Sequence, residues 1–248
     1  MIHIEGTVGT LGVNGDYGVY IIGFNHNSEV EGAGITFGTF KSAVSGGTDI
    51  CLKDNKYGNT SETGEKYFNM NHRHSTARGG WAACDLRYDV LGSTNVQPLN
   101  YNSSKNNEDA AKGYDANNAC TSTPVANTLM AALPADLRAV MKPMTIYTVN
   151  MGGSAGENES PTATIDYLPL LSSFEIGLSN SLPSAEKSKQ QTYAYYSAGS
   201  SKVKSSAKWW VRSTTTYNNS GFCSVSETGG NYTNQASTSL GIAPIFKV

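Results

Sequence analysis

Two histidines, His72 and His74, flank Arg73 and would share one face of an extended segment, a spacing compatible with a pair of metal ligands. No cysteine and no patterned carboxylate lies beside them, so no metal site is expected. The loop Gly152-Gly153-Ser154-Ala155-Gly156 has the outline of a nucleophile elbow. Glu157, Asn158 and Glu159 follow it, where an elbow needs an apolar helical stripe. Those three residues could be argued as calcium ligands, but a solvated polar loop accounts for them. The four cysteines, at 51, 84, 120 and 223, occur singly, so neither a zinc knuckle nor a redox dithiol is encoded locally. Buried free thiols are the expectation; if one disulfide forms, its connectivity is not written in the sequence. No Gly-x-x-x-x-Gly-Lys-Ser/Thr phosphate loop occurs. The chain is therefore expected not to be an enzyme, with no catalytic residue, no cofactor and no metal.

The informative chemistry lies in the tail. All but six of the 27 residues from 213 to 239 are Ser, Thr, Asn, Tyr or Gly, and none is Lys or Arg. The exceptions are Phe222, Cys223, Val225, Glu227, Gln235 and Ala236. In a strand, Cys223 and Val225 would point one way while Ser224 and Ser226 point the other. A core-anchored strand would then display a polar face beside Thr214 to Asn219 and Asn231 to Asn234. Tyr, Ser, Asn and Gly are the residues of antibody paratopes: Tyr gives contact area at low entropy cost, and the small polar residues give adaptable hydrogen bonds. The same composition also suits an exposed hairpin with no ligand.

Elements that could position this surface are short. Val19–Phe24 is β-branched and aromatic with glycine on both flanks, which predicts a strand. Residues 1–18, with Gly6, Gly9, Gly12 and Gly15 at intervals of three, predict an N-terminal arm or edge strand. Apolar positions 83, 86, 90 and 91 have helical spacing, and Gly92 sits where a left-handed cap would fall. Residues 94–120 and 150–163 read as polar loops. A helix is predicted to open at Thr123-Pro124, with Leu129, Leu133, Leu137 and Met141 on one buried face beside Met130 and Val140. Pro134 should split it into two short helices or kink it. Tyr167–Leu171 reads as a buried strand and Glu186–Ser197 as a polar helix. Three tail strands, 209–213, 222–226 and 242–248, predict an antiparallel meander. Trp209 and Trp210, as strand neighbours, should face opposite sides, one in the core and one near the surface. Arg212, on the Trp210 face, fits a structural ion pair better than a ligand contact.

Composition sets the outer bounds. Hydrophobic residues make up 38% and charged residues 15% of 248, with a formal net charge of -2. That supplies a core and lacks the clustered cations that duplex nucleic acid demands, so no nucleic-acid partner is expected. No apolar run approaches the roughly 20 residues of a membrane-spanning helix, so a soluble protein without membrane insertion is expected. Met1-Ile2-His3-Ile4-Glu5-Gly6 lacks the layout of a secretory leader.

Five motifs occur in order: Gly-Gly-Trp (79–81), Leu-Arg (86–87), Ala-Leu-Pro-x-x-Leu-Arg (132–138), Trp-Trp-x-Arg-Ser (209–213) and Gly-x-x-Pro-x-Phe-x-Val (241–248). Together they resemble an uncharacterised domain family of gut Firmicutes and their prophages, over roughly residues 34–248. That family in turn is similar to the C-type-lectin-like, formylglycine-generating-enzyme-like fold used by variable proteins of diversity-generating retroelements. The resemblance implies an α+β fold with two main helices, a twisted antiparallel sheet and long loops, preceded by an arm or edge strands over residues 1–33. It also implies that ligand-facing positions lie near the C-terminus. In such systems template adenines are replaced at random, converting Asn codons chiefly to Ser, Thr, Tyr, Asp, His or Ile. Thr214, Thr215, Thr216, Tyr217, Asn218 and Asn219, with Asn231, Tyr232, Thr233 and Asn234, are residues of that kind. The variable, ligand-binding role carries over to those ten and to Ser224, Ser226, Glu227 and Thr228. Trp209, Arg212, Phe222, Pro244 and Phe246 would form the frame between them.

The implied function is non-enzymatic binding of a protein or glycan on a bacterial cell, by a hypervariable retroelement protein or a phage receptor-binding protein (an adhesin in the broad sense). It would act on a phage tail or at a bacterial surface, reached without a Sec signal, as a monomer or an oligomer. Two alternatives stay open: an enzyme on the same fold, or a purely structural virion or surface protein. Formylglycine-generating enzymes use paired cysteines near the end of the chain, and only Cys223 lies beyond Cys120 here.

Overall fold

The computed structural model describes residues 1–39, 68–71, 77–95, 120–149, 161–178, 184–197, 203, 205, 207–215 and 220–248. Its first two strands, β1 (Ile2–Val8) and β2 (Leu11–Tyr17), form an antiparallel hairpin pairing Ile2 with Tyr17 and Val8 with Leu11. Ile4, Val8 and Val13 bury one side of it. The glycine-spaced start of the chain is thus a paired hairpin that packs on the helix at 129–132.

Next come β3 (Val19–Phe24), a single helical turn α1 (Ser28–Glu31) and β4 (Ile35–Thr39). The sheet order is β10-β4-β3, where β10 is Ile245–Lys247 near the other end of the chain. Phe37 of β4 pairs with Phe246 of β10, and their rings stack with centroids 5.2 Å apart. The final segment therefore does not join the tail meander as expected. It returns to the N-terminal strands, where Ile245 and Phe246 are buried. The expected division after residue 33 falls between β3 and β4, which pair with each other.

Trp81–Ala83 forms a 3-10 turn and Asp85–Asp89 a short helix, α2. Gly92 follows at φ +63°, and a Cβ there would lie 2.8 Å from the Thr128 Cβ. Gly92→Ala is expected to destabilise by about 2 kcal/mol or more, combining left-handed strain with overpacking; urea unfolding would measure it. The next helix starts later than predicted, at Leu129. Thr128, rather than Thr123, caps it by accepting from the Ala131 amide at 3.3 Å. As Pro134 requires, two short helices result, α3 (Leu129–Ala132) and α4 (Ala135–Val140). The expected buried face holds at Leu129, Met130, Leu133 and Met141, with Leu137 partly buried, whereas Val140 is 57% exposed.

β5 (Met144–Thr148) and β6 (Thr162–Asp166) form a second antiparallel pair. The strand expected at Tyr167–Leu171 is instead a buried irregular stretch with one bridge, Leu170 to Pro244. Pro169 supplies no ladder donor there. Likewise Glu186–Ser197 is not one helix but two single turns, α5 (Ser184–Lys187) and α6 (Ala194–Ser197). Between them the Tyr193 amide bonds to the Glu175 carbonyl, and its ring is fully buried.

The tail sheet has the order β7-β8-β9, antiparallel throughout: β7 (Trp209–Thr214), β8 (Gly221–Val225) and β9 (Asn231–Gln235). Both tryptophans are buried, correcting the expectation that one lies near the surface. Residues 68–71 cover the second face, where the Phe68 carbonyl accepts from the Trp210 indole at 2.7 Å. One core joins Trp81, Leu86, Trp210, Phe222, Tyr193 and Ile245, so the α+β architecture packs as a unit. Among the described residues no helix is long and apolar enough to cross a membrane.

Candidate ligand-binding surface

The tail sheet is stiff on the inside and open at one edge. Every residue of β7 and β8 is buried, whereas Tyr232 and Thr233 of β9 are exposed. Ser224 pairs with Tyr232 and Cys223 with Thr233, so side chains of β9 flank the edge on both faces. The Tyr232 ring is 54% exposed, with the Lys208 ammonium 5.5 Å from its centroid. A cation at that distance holds the ring without covering it.

Of the fourteen positions read as ligand-facing, the structure separates three groups. Glu227, Thr228, Tyr232 and Thr233 are exposed, and Asn231 and Asn234 are half-buried; these six gather on the β8–β9 turn and on β9. Thr216, Tyr217, Asn218 and Asn219 lie outside the described residues. Thr214, Thr215, Ser224 and Ser226 are buried, which corrects their placement on a solvent face.

Each buried residue has a structural occupation. The Ser224 hydroxyl donates to Asn234 Oδ1 at 2.7 Å, tying β8 to β9. Ser226 Oγ accepts from the Gly230 amide at 2.9 Å, closing the turn into β9. The Thr215 amide donates to the Gly221 carbonyl, and the Thr214 hydroxyl reaches the Val149 carbonyl at 3.5 Å. Alternation along β8 failed as a guide because the sheet is covered on both faces. The strand at 231–235 was also missed, although Gly229-Gly230 followed by Tyr232-Thr233 is a hairpin signal. Lys208 carried no signal of its own.

Beneath this surface lies a polar network. Arg212 donates from both terminal nitrogens to Glu175, Nη1 reaching Oε2 at 2.6 Å, and Nη1 also donates to the Leu170 carbonyl at 2.7 Å. Arg212 thus makes the expected ion pair, fully buried. Burial disfavours its charge, but Glu175 outweighs that and pushes the guanidinium pKa up, so it stays charged. Glu186 accepts from the Val149 amide and from Gln190, both at 3.0 Å, and burial raises its pKa.

Cys84, Cys120 and Cys223 are free and buried, while Cys51 lies outside the described residues. Burial pushes the Cys120 and Cys223 thiols up to about 12, and Cys84 higher still, so none is a thiolate at neutral pH. His72, His74 and the segments 152–156 and 157–159 lie outside the described residues. Among those described, no group of three His, Cys, Asp or Glu is arranged to hold a metal ion.

No curated protein and no solved structure matches the chain. A family of domains of unknown function, DUF6273, matches residues 62–248, which include β5 to β10 and every candidate contact position. The chain belongs to that family.

Proposed function

We propose that this chain is a non-enzymatic ligand-binding protein whose contact surface is the β8–β9 turn and the outer strand β9. The observation that carries the reading is the contrast within one sheet. Two wholly buried strands fix a third that presents a phenol, a hydroxyl and amides to solvent. Complementarity on such a frame comes from side chains that can change without disturbing the core. The DUF6273 match leaves the function open, so the rest of the reading stands on the resemblance of motifs. On that basis the scaffold is C-type-lectin-like and the protein is a retroelement-diversified variable protein or a phage receptor-binding protein. Its partner is a protein or glycan on a bacterial cell, met from a phage tail or a bacterial surface. The antiparallel return of the last strand to β4 supports the scaffold assignment, since it frees the β7–β9 meander to carry the display.

Capture on whole bacterial cells and on purified cell-wall glycans tests this. Tyr232→Ala should weaken capture by about 30-fold or more, the scale of an aromatic hot spot. It should leave the melting temperature within a few degrees, because the ring is half in solvent. Capture equal to wild type, or loss of folding in the variant, would overturn the assignment of β9 as the contact strand.

A further inference from the structure

Residues 1–39 precede the DUF6273 region, yet one carboxylate among them is buried inside it. Glu31, on α1, is 3% exposed. Its Oε2 accepts from the Tyr193 hydroxyl at 3.1 Å and lies 3.7 Å from Lys247 Nζ. Its Oε1 faces Asn27 Nδ2 at 3.4 Å and His26 Nε2 at 3.7 Å. The Lys247 ammonium, with no solvent exposure, donates to the carbonyls of Glu31 at 3.1 Å and Gly32 at 2.6 Å. Gly34 lets the chains close here, since a Cβ at its φ of +154° would meet the Val248 carbonyl at 2.6 Å. The charges of Glu175 and Arg212 act on Glu31, so it belongs to the same electrostatic cluster as the Arg212, Glu175 and Glu186 network.

Charge counting decides the state of this cluster. Three buried carboxylates (Glu31, Glu175, Glu186) face two buried cations (Arg212, Lys247). An uncompensated charge in the interior is costly, so the cluster is neutral only with one added proton. Glu175 holds both arms of Arg212, and Glu186 accepts an amide N–H and the Gln190 N–H. Glu31 has one hydrogen bond near 3 Å, from Tyr193, and the Lys247 ammonium stands off at 3.7 Å; it takes the proton. The geometry places it on Oε1, toward His26 Nε2, a buried nitrogen with no hydrogen-bond partner among the described residues.

We infer that the Glu31 carboxyl is a protonation-dependent latch: neutral, it seats residues 1–39 in the DUF6273 region facing His26, and ionised it loosens, because burying the charge costs more than Tyr193 and Lys247 return. Burial first, and the Glu175 charge second, raise its pKa from 4.5 to about 7. Stability from this group is complete below 4.5 and is lost as pH rises toward about 7. His26 acts the opposite way. Burial lowers its pKa below 6.5, so its contribution is lost as pH falls. Other titratable or charged groups around Glu31 are Glu29 on its own turn, Lys142 beside Lys247, Lys189 beyond Asn27, and Tyr147, the only titratable residue of β5.

Hydrogen exchange at Ile35 and Val248, whose amides bond each other's carbonyls at 2.9 and 3.0 Å, reads the latch directly. In wild type the opening constant should rise relative to Glu31→Gln by about sixtyfold between pH 5 and 7.5, since the linked proton gives close to tenfold per pH unit between 4.5 and about 7 and little beyond. The ratio cancels the groups that Glu31 does not touch; His26 and Lys247, coupled to it, stay in the difference. Identical pH dependence in the two proteins would overturn the latch. Should the variant fail to fold, carbon-13 titration of the wild-type Glu31 carboxyl decides: a midpoint near 7 supports it, and one in the ordinary range near 4.5 overturns it.

Discussion

Arg212→Met should destabilise the fold by about 3–5 kcal/mol, the scale for breaking a buried ion pair from one side. The guanidinium is 1% exposed and bonds Glu175 with both terminal nitrogens. Methionine fills the volume but takes away the guanidinium that balances Glu175 and Glu186. The Leu170 carbonyl, held by Arg212 Nη1, would also lose its donor. A second variant separates the charge from the packing. Arg212→Met with Glu175→Leu removes both members of the pair and should recover most of the loss, since apolar replacement of a whole buried pair is often close to neutral. Arg212→Lys should recover little, because an ammonium cannot make the two parallel bonds. Urea unfolding of the three proteins at pH 7 gives the values. A single-variant loss below about 1 kcal/mol would contradict the central role of this pair.

Arg212 also shows what a sequence yields. Its ion pair was legible because an arginine in a strand of tryptophans has to be neutralised, though nothing named Glu175 as the partner. The split at Pro134 and the left-handed Gly92 were legible because each follows from one residue's backbone chemistry. Partners far apart in the chain were not. Lys247 and Glu31 meet across almost the whole chain, and β10 leaves the tail meander for β4; neither fact has a local signature. Trp209 and Trp210 misled for a related reason. Alternation says that neighbours face opposite sides, but only the tertiary fold says that residues 68–71 cover the second side. The candidate contact surface was half legible. Composition located the uncharged stretch, and the alternation argument then assigned Ser224 and Ser226 to the wrong environment. Their short hydroxyls bond Asn234 and the Gly230 amide, adding to the ladder that holds β9 in place.

Asp166→Ala is expected to cost a further loss of the same size, about 3–5 kcal/mol. This carboxylate is fully buried and accepts four hydrogen bonds. They come from Arg87 Nε at 2.6 Å, Ser93 Oγ at 2.9 Å, Thr164 Oγ1 at 2.6 Å and the Trp81 indole at 3.1 Å. Four segments therefore meet on one side chain: the 3-10 turn, α2, the stretch after Gly92, and β6. The Gly-Gly-Trp and Leu-Arg motifs supply two of the donors, which explains their pairing in the sequence. Removing the carboxylate leaves Arg87, 3% exposed, as a buried cation with, among the described residues, the Ala82 and Ile165 carbonyls at 3.4 and 3.1 Å. Asp166→Asn is the informative comparison. It preserves the shape and one acceptor but sets an amide N–H against two donors and removes the charge facing Arg87. It should cost about 2–3 kcal/mol, between wild type and Ala, because charged hydrogen bonds of this kind contribute more than neutral ones. Thermal and urea unfolding of both variants would rank them. If Asn proved as stable as wild type, the site would be held by shape and not by charge.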